Sequence, residues 1–490
     1  MFSEVLKPTG CFIGIDQGSS ATKAVVVSLE GQVLFHTRKD LPTPLRDSIR
    51  IEQDAEEILH SVFDALNESV QSVQCPGIPI LGIGLSCQRS SCLAWKASTG
   101  TALTPVISWR DIRGNELIES IKDQGPVIHR LSGLPLTPYY SASKLRWIRD
   151  NIAAARQPDA IFGTLSSFLV RQLTKNAEDV IDHTHAARTQ LMNIRTLAWD
   201  EELLEPFGLT GIGLPKIVPS EHFFGKTHTQ AGNIPLLASL GDQQAAMLGL
   251  GVFEKGDAGI NLGTGGFLMV NTGVQLAPAE GLMASVHYSN GREVYYLLEG
   301  SVNAVGDALE WVRTNLGLFK EYEEVDDLCW KASTDTVAFI GLNGTGAPHW
   351  EANISSAFHG LGPESTSADM VRAVVEGFVF FIKDIEEEVR KSGIEPRNVI
   401  LAGGLSSLTY LSQIQADILK TNVRVSARRE ASALGAAFLA GMQHGAWKPE
   451  DIRRMAAQGE LANGETNPGL ERRYKKWKEL HRMTKNLDKV

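Results

Sequence analysis

The length, composition and charge of the chain exclude several classes of protein. Its 490 residues, 43% of them hydrophobic and 21% charged, are typical of a globular protein with two or more domains. The formal net charge of −10 argues against nucleic acid as the main partner. No apolar run approaches the ~18 residues of a membrane span, and the N-terminus lacks the layout of a signal peptide. We therefore expect a cytoplasmic protein without a membrane span.

Strand, small-residue turn and strand follow one another at two places along the chain. Near the start, "CFIGI" leads through "DQGSS" into "TKAVVVSL", and "KGDAGINLGTGGFLMVNTG", beginning at residue 255, repeats the layout. Both patterns predict a β-hairpin whose turn exposes backbone N–H groups. We infer two domains, 1–248 and 249–490, each opening with such a hairpin.

The remaining patterns indicate an α/β architecture. "ILGIGLS" (80–86) and "NVILAGG" (398–404) are typical of strands buried on both faces. Apolar residues at helical spacing between 369 and 389 predict a long helix that ends at Gly393. The tail "RRYKKWKEL" predicts a docked C-terminal helix rather than a nucleic-acid-binding arm. In such folds, ligands bind at the carboxyl ends of strands.

The five cysteines are an odd and sparse set: Cys11, Cys75, Cys87, Cys92 and Cys329. The pair at 87 and 92 is not a CxxC motif, and no second pair lies nearby. We therefore expect neither a disulfide framework nor a zinc site.

Small-residue turns are the candidate phosphate-binding elements. "FGKT" (224–227) lacks the first glycine of a P-loop, and no GxGxxG motif occurs. The turns Gly18-Ser19-Ser20, Gly263-Thr264-Gly265 and Gly403-Gly404 each follow a strand pattern and can present backbone amides to phosphate. One such turn alone is more typical of a plain turn, but three favour phosphate binding.

Two acids at predicted strand ends are the candidate metal-binding and catalytic groups. If Asp16 and Asp242 point into one cleft, they could hold Mg²⁺, and one could take a proton from a hydroxyl. Each alone is more typical of a turn or helix N-cap aspartate. Lys23 could supply a cation near phosphates, or it could be an exposed strand lysine.

Arginine and aromatic residues after apolar runs indicate a pocket for a small polyhydroxy ligand. Arg89 and Trp109 offer a fork of donors and a flat apolar wall. A surface ion pair explains Arg89 equally well, and Tyr139 is as typical of packing as of binding.

Longer stretches resemble the FGGY carbohydrate kinases, with the glycerol kinases as the nearest branch. "YYSASKLRWIRD" (139–150) is similar to the first signature of that family, and "SAFHGLGPESTSADMVRAVVE" (356–376) is similar to the second. "LGDQQAAMLG", "NLGTGGFLMVNTG" and "SALGAAFLAG" resemble glycerol kinase segments, so the resemblance covers almost the whole chain.

The resemblance implies two actin-like (ribonuclease H-like) α/β domains with a catalytic cleft between them. Domain 1–248 would bind the acceptor and carry the first phosphate loop, and domain 249–490 would bind the nucleotide. ATP and Mg²⁺ are the implied cofactors. Homodimers or homotetramers are common in the family, which is an analogy only.

The resemblance also implies roles for individual residues. Asp242 matches the general base, and Asp16 and Asp242 match the groups near Mg²⁺. The implied ATP-binding positions are Asp16, Ser19, Ser20, Lys23, Thr264, Gly265, Gly306, Glu310 and Gly404. The implied acceptor-binding positions are Arg89, Ser90, Trp109, Tyr139, Asp242, Gln243 and Phe267.

Departures from the glycerol kinase pattern concern the acceptor. Ser90 replaces a glutamate whose hydrogen bonds to glycerol would contribute about 1.5–3 kcal/mol. Asp111, in "WRD", is similar to the W-x-D of xylulokinases, whereas "GDQQ" is similar to glycerol kinases.

We predict an ATP-dependent kinase that phosphorylates a terminal hydroxyl of a small polyol or sugar. A pentulose kinase (xylulokinase or ribulokinase type) or a tetritol kinase is the alternative. A non-catalytic ATP- and sugar-binding regulator also stays open, because Leu408 and the stretch "WEANISS" depart from the family on the nucleotide side.

Overall fold

The fold consists of two compact units. The structure, a computed structural model, describes residues 10–42, 44–47, 49–74, 77–174, 178–277, 280–428 and 430–488. The first unit comprises Met1–Phe253, Ser285–Tyr296 and Arg429–Ala457. The second unit comprises Glu254–Ala284, Leu297–Arg428 and Gln458–Val490. The domain boundary after residue 248, with a separate role for each domain, stays a prediction.

The strands alternate with helices along much of the chain, as expected for α/β architecture. In chain order the strands are β1 (Cys11–Gln17), β2 (Ala21–Ser28), β3 (Val33–Asp40), β4 (Leu45–Arg46), β5 (Ile51–Gln53), β6 (Ile80–Cys87), β7 (Cys92–Lys96), β8 (Val106–Ile107), β9 (Ala160–Thr164), β10 (Val180–Asp182), β11 (Met192–Asn193), β12 (Ala198–Trp199), β13 (Lys216–Val218), β14 (Glu221–Thr229), β15 (Gly232–Gly241), β16 (Asp257–Leu262), β17 (Gly266–Gly273), β18 (Met283–Ser289), β19 (Val294–Val302), β20 (Val337–Phe339), β21 (Ala357–His359), β22 (Arg397–Ala402), β23 (Val423–Ser426) and β24 (Gly459–Ala462).

The helices range from one turn to seven turns. In chain order they are α1 (Ala55–Gln74), α2 (Asn115–Ser120), α3 (Gly125–Ser132), α4 (Ser141–Asn151), α5 (Leu165–Thr174), α6 (His183–Ala187), α7 (Glu201–Leu204), α8 (Asp242–Gly249), α9 (Gly306–Thr314), α10 (Glu324–Lys331), α11 (Ser367–Lys391), α12 (Thr409–Leu419), α13 (Ala431–His444), α14 (Pro449–Ala456) and α15 (Pro468–Leu487). Short 3₁₀ segments span Lys122–Gln124, Ala153–Arg156 and Gly404–Ser407.

The main sheet of the first unit has the strand order β14-β15-β6-β1-β2-β3. The three central strands β15, β6 and β1 are parallel, and β1 and β2 form the predicted antiparallel hairpin. Helix α1 packs on one face of this sheet, where Ile58 and Val62 join Ile13 in one apolar core. Parallel strands bring their carboxyl ends to the same edge, so the loops after β1, β6 and β15 lie together.

Helix α13 packs on the other face of this sheet at unusually short distance. Its residues Leu434 and Phe438 share an apolar core with Phe12 of β1. A Cβ atom on Gly14 of β1 would lie 1.8 Å from the carbonyl oxygen of Ala433. Only glycine fits at this crossing, which explains why the β1 pattern "CFIGI" contains one.

The main sheet of the second unit includes the order β19-β17-β16-β22-β23-β24. Strands β16 and β17 form the second predicted hairpin, and β16 runs parallel to β22. The predicted long helix is α11, which spans Ser367–Lys391 and buries the seven apolar positions of its period: Val371, Val374, Val375, Phe378, Ile382, Ile385 and Val389.

The structure also tests the predictions for the C-terminal helix and for the burial of strands β6 and β22. The C-terminal helix is present as α15, with Tyr474, Trp477 and Leu480 buried. The prediction of a strand buried on both faces is confirmed for β6. The same prediction is wrong for β22, where Val399 and Leu401 are buried but their neighbours are partly exposed. Alternate strand residues point to opposite faces, so one face of β22 is only half covered.

The described residues were searched for free cysteines, for groups of metal-binding side chains and for membrane-spanning helices. Cys11, Cys87, Cys92 and Cys329 are buried free thiols, and Cys75 lies outside the described residues. Within the described ranges, no group of three or more His, Cys, Asp or Glu side chains is arranged to hold a metal ion. Within the same ranges, no helix combines the length and apolar character needed to cross a membrane.

Candidate active site

Three predicted site residues lie at the carboxyl ends of the central parallel strands of the first unit. Asp16 is the second-last residue of β1 and is paired in register with Ser86 of β6. Arg89 follows the end of β6, and Asp242 follows the end of β15 as the first residue of α8. Asp16 thus lies inside its strand, whereas the sequence pattern predicts it in the turn.

The Asp16 carboxylate is held in a half-buried, electrostatically unfavourable position. Burial and the negative charge of Asp242 raise the pKa of Asp16 to about 7, against the lowering effect of Ser86 and Lys23. The Oγ of Ser86 donates to Asp16 Oδ1 over 2.9 Å. Among the described residues, Asp16 forms no ion pair. Two neighbouring carboxylates, one with a raised pKa, are typical of sites that bind a cation or move a proton.

Asp242 forms an ion pair with Arg89. The Nε atom of Arg89 lies 3.4 Å from Asp242 Oδ1, and the Arg89 side chain is only 9% exposed. Arg89 also donates to Gln244 Oε1 over 3.3 Å, so the interpretation as a surface ion pair does not hold. A Cβ on Gly241 would lie 2.9 Å from the Arg89 side chain, so glycine makes room for the arginine beside β15.

Lys23 of β2 lies opposite Asp16 of β1 in the strand register, but its ammonium group forms an ion pair with Glu430. Its Nζ lies 2.9 Å from Oε2 of Glu430, the residue that precedes α13. The lysine is thus neither a free strand lysine nor paired with Asp16. Sequence reasoning missed Glu430, because no local pattern links two residues so far apart in the chain.

The first small-residue turn joins β1 to β2 and contacts Trp109. Gly18 N–H donates to the carbonyl of Ala21, which closes the turn around Ser19 and Ser20. The indole N–H of Trp109 donates to Ser19 Oγ over 3.0 Å, and Ser19 Oγ donates to Gln88 Oε1 over 3.1 Å. This network brings a predicted acceptor-binding residue and a predicted phosphate-loop residue into direct contact.

Ser90 and Asp111, the two residues that depart from the glycerol kinase pattern, both use their side chains inside the protein. Ser90 adopts φ +65°, and its Oγ donates to the carbonyl of Arg188 over 3.3 Å. Asp111 is fully buried; its oxygens accept from the backbone of Ile51 and from the Arg113 guanidinium at 2.7–2.9 Å. Ser90 has no carboxylate, and both carboxylate oxygens of Asp111 are already hydrogen-bonded inside the protein.

Tyr139 and Gln243 differ in their surroundings. The Tyr139 side chain is 50% exposed, while its backbone carbonyl accepts a hydrogen bond from Lys144 over 2.8 Å. Lys144 is fully buried and also donates to the carbonyl of Ser108; burial lowers its pKa to about 8. The side-chain Oε1 of Gln243 is buried without a hydrogen-bond partner among the described residues, so it offers an acceptor.

In the second unit, two predicted ATP-binding elements meet. The turn Gly263-Thr264-Gly265 joins β16 to β17, and α9 begins at Gly306. The N–H of Gly306 donates to Gly263 O over 2.9 Å, and the N–H of Val305 donates to Thr264 O over 3.0 Å. The start of α9 is thereby fixed against the turn. A helix N-terminus beside a glycine-rich turn can bind phosphate oxygens.

Of the other predicted residues of this unit, two lie on or next to strands of its main sheet, and the third is hydrogen-bonded to neighbouring side chains. Gly404 follows β22, which is the parallel neighbour of β16, and Phe267 belongs to β17. Glu310 lies one turn into α9 and accepts hydrogen bonds from Arg313 and from the Tyr322 hydroxyl. These bonds lower the pKa of Glu310.

Several supporting residues were missed by sequence reasoning. Ser86 and Gln88 hold Asp16 and Ser19, and Asp182 is the centre of a buried network behind Asp242. The only sequence signal was the stretch "DHTHAARTQ", which resembles the corresponding glycerol kinase segment. Their hydrogen bonds depend on tertiary neighbours, which a sequence pattern does not specify.

Comparisons with known proteins agree with this architecture. Residues 11–249 match the N-terminal domain, and residues 258–444 the C-terminal domain, of the FGGY family of carbohydrate kinases. Glycerol kinase of Enterococcus casseliflavus is 32% identical over 491 residues, which cover 97% of each chain. The crystal structure of Plasmodium falciparum glycerol kinase with ADP has a TM-score of 0.91 at 27% identity, covering 97% of this chain and 98% of that chain.

One further structural relative is more distant in sequence. A gluconate kinase from Lactobacillus acidophilus has a TM-score of 0.85 at 23% identity, covering 98% of this chain and 97% of that chain. At this identity it shows the fold alone. Together the comparisons confirm the predicted fold class, two actin-like α/β domains, and the resemblance on which that prediction was based.

Proposed function

Because the chain belongs to the FGGY family of carbohydrate kinases, we propose that it transfers the γ-phosphate of ATP to a terminal hydroxyl of a small polyol. The observation that carries this proposal is the group of Asp16, Arg89 and Asp242 at the carboxyl ends of three parallel strands. Phosphoryl transfer needs positioning, charge stabilisation and one base, and this group offers the base and a cation-binding carboxylate.

Asp242 is the proposed general base. Its carboxylate would take the proton of the acceptor hydroxyl, whose oxygen then bonds to the γ-phosphorus. The bond from that phosphorus to the β–γ bridging oxygen breaks, and ADP leaves with the bonding electrons. Arg89 and the N–H of Gln243, 2.8 Å from Asp242 Oδ1, orient the carboxylate for this step.

A Mg²⁺ ion fits the two carboxylates. Burial, and after it the charge of Asp242, raise the pKa of Asp16, so a bound cation would relieve the repulsion of the two carboxylates. Mg²⁺ is usually held by one or two carboxylates, with water and substrate phosphates as the other ligands. Asp16 and Asp242 would hold it, and when bound it would neutralise phosphate charge.

The second unit supports ATP as the phosphoryl donor. The turn around Thr264 and Gly265 is the candidate phosphate-binding loop, and the start of α9 is fixed against it because the N–H groups of Val305 and Gly306 donate to the carbonyls of Thr264 and Gly263. The crystal structure of the similar Plasmodium falciparum glycerol kinase was determined with ADP. In the first unit, Ser19, Ser20 and Lys23 stay candidate phosphate-binding residues, and the charge of Lys23 is paired with Glu430.

A pentulose or tetritol kinase is the second candidate, and the surroundings of Ser90 favour it. A glycerol site built on a glutamate has a charged acceptor for the glycerol hydroxyls, whereas the side chains of Ser90 and Asp111 are bonded internally. Glycerol would therefore lose about 1.5–3 kcal/mol of binding that a longer acceptor can recover through its additional hydroxyl groups.

The experiment is ADP release with Mg²⁺–ATP across glycerol, erythritol, ribitol and the ribulose and xylulose enantiomers. Asp242→Asn should lose about 10²–10⁴-fold in kcat, while Asp64→Asn, an exposed position on α1, should match the wild type. Near-normal turnover of Asp242→Asn would overturn the proposed base. Binding of ATP and sugar without turnover for any acceptor would instead favour the regulator.

A further inference from the structure

A buried hydrogen-bond network lies behind the proposed base in the first unit. Its centre is the carboxylate of Asp182, 1% exposed, at the end of β10. Oδ2 accepts hydrogen bonds from the N–H and the hydroxyl of Thr184, over 2.7 and 2.6 Å, and from Ser220 Oγ over 3.1 Å. Oδ1 lies 2.6 Å from Nδ1 of His185. A carboxylate with this many partners fixes each of them in place.

Thr184 connects the carboxylate to the strand end that carries the base. Its Oγ1 donates to Asp182 and at the same time accepts from the N–H of Gly241 over 2.8 Å. Gly241 is the last residue of β15 and immediately precedes Asp242. The Thr184 hydroxyl therefore acts both as donor and as acceptor. Its hydrogen bond to the Gly241 N–H ties the residue before the proposed base to the Asp182 network.

His185 connects the same carboxylate to the neighbouring strand end. Its Nε2 lies 3.3 Å from the carbonyl oxygen of Cys87, the last residue of β6, two residues before Arg89. Both ring nitrogens face oxygen atoms, so the ring is held between Asp182 and the end of β6. Cys87 and Gly241 are register partners in the parallel pair β6 and β15.

We propose that Asp182 and Thr184 are positioning residues that set the placement of the Asp242 carboxylate relative to Arg89. The two strand ends that carry this ion pair are fixed to one buried carboxylate, through Thr184 on one side and His185 on the other. The proposal rests on the proposed role of Asp242 as base. A displacement of about 1 Å in a catalytic group can cost on the order of 10²-fold in rate.

The test compares Thr184→Val with Thr184→Ser and Ser220→Ala. Valine keeps the size of threonine and removes both hydrogen bonds, whereas serine keeps the hydroxyl. Ser220→Ala removes another buried hydrogen bond to the same Asp182 oxygen without touching Gly241. Each variant is measured for kcat, for acceptor and ATP Kd by calorimetry, and for Tm.

We expect Thr184→Val to lose about 10–10²-fold in kcat, with both Kd values within about twofold of the wild type. Thr184→Ser should restore kcat to within a few-fold. Ser220→Ala should lower Tm and leave kcat unchanged, because it weakens the network without releasing Gly241. If Thr184→Val does not fold, Thr184→Ala serves in its place.

Two results would overturn the positioning role. One is a normal kcat in Thr184→Val, and the other is an equal loss of kcat in Thr184→Val and Ser220→Ala, which would indicate general destabilisation. An Asp242→Asn control separates this proposal from the proposed function. If Asp242→Asn is inactive and Thr184→Val is normal, only the positioning role fails; if Asp242→Asn is active, the assigned base fails.

Discussion

Replacing Asp16 with asparagine should stabilise the protein at neutral pH while removing a proposed Mg²⁺ ligand. Burial and the charge of Asp242 raise the pKa of Asp16 from 3.8 to about 7. A folded-state pKa above the unfolded value means that the folded protein binds more protons than the unfolded chain between these pH values. The associated stability is therefore fully present below pH 3.8 and is lost as the pH rises to about 7.

The magnitude follows from the size of the shift. Each unit of pKa corresponds to about 1.4 kcal/mol, so ionised Asp16 destabilises the fold by about 4 kcal/mol above neutral pH. At about pH 5, only the first part of the titration is complete and the cost falls to about 2 kcal/mol. Asparagine carries no charge, so Asp16→Asn should gain these amounts over the wild type at the two pH values.

The assay is urea denaturation followed by circular dichroism, at about pH 5 and about pH 8, for wild type, Asp16→Asn and Asp64→Asn. The advantage of Asp16→Asn should grow by about 2 kcal/mol between the two pH values. The exposed control should show no such growth. An advantage that is equal at both pH values would refute the electrostatic account of Asp16. Millimolar Mg²⁺ should reduce the advantage at the higher pH if the ion binds the pair.

Further predictions concern packing and buried charge. Gly14→Ala should prevent normal folding, since its Cβ would overlap the Ala433 carbonyl at 1.8 Å; a wild-type Tm would contradict the close packing of α13. Glu376→Ala should cost about 3–5 kcal/mol in urea denaturation, because it leaves the Arg473 guanidinium partly buried without its bidentate partner; a loss below 1 kcal/mol would contradict this. The pKa of Lys144 is lowered from 10.5 to about 8, so the cost of its buried charge is present below pH 8. Wild type should therefore gain about 3 kcal/mol over Lys144→Met as the pH rises from 8 to 10.5, and a constant difference would contradict the shift.

Local patterns in the sequence predicted the elements that local rules govern. The hairpins β1–β2 and β16–β17 and the helix α11 follow from apolar periodicity and turn residues, and all three are present. The family resemblance added the fold class, which the comparisons confirm. The roles assigned to individual site residues stay predictions, although Asp16, Arg89 and Asp242 do lie together.

What the sequence could not predict depends on tertiary partners. Asp111 is similar to the aspartate of the W-x-D pattern of xylulokinases, but its carboxylate is bonded to Arg113 and to the backbone of Ile51. Lys23 looked like a free cation, but Glu430 reaches it from the far end of the chain. The Glu430 partner of Lys23 and the Ile51 partner of Asp111 are set by the packing of elements that are distant in sequence, whereas Arg113 lies only two residues from Asp111.

The segment Arg429–Ala457, which returns to the first unit, also determines the order in which the protein can be completed during synthesis. Its helix α13 packs on strands β14, β15, β6, β1 and β2 of the main sheet of the first unit, and the core around Phe12 and Phe438 does not exist without it. A nascent chain that has emerged as far as Phe253 therefore exposes one apolar face of that sheet. The chain must be translated as far as the end of α13 at His444 before this face is covered. Premature termination in the second half would thus leave an aggregation-prone first unit rather than a folded one.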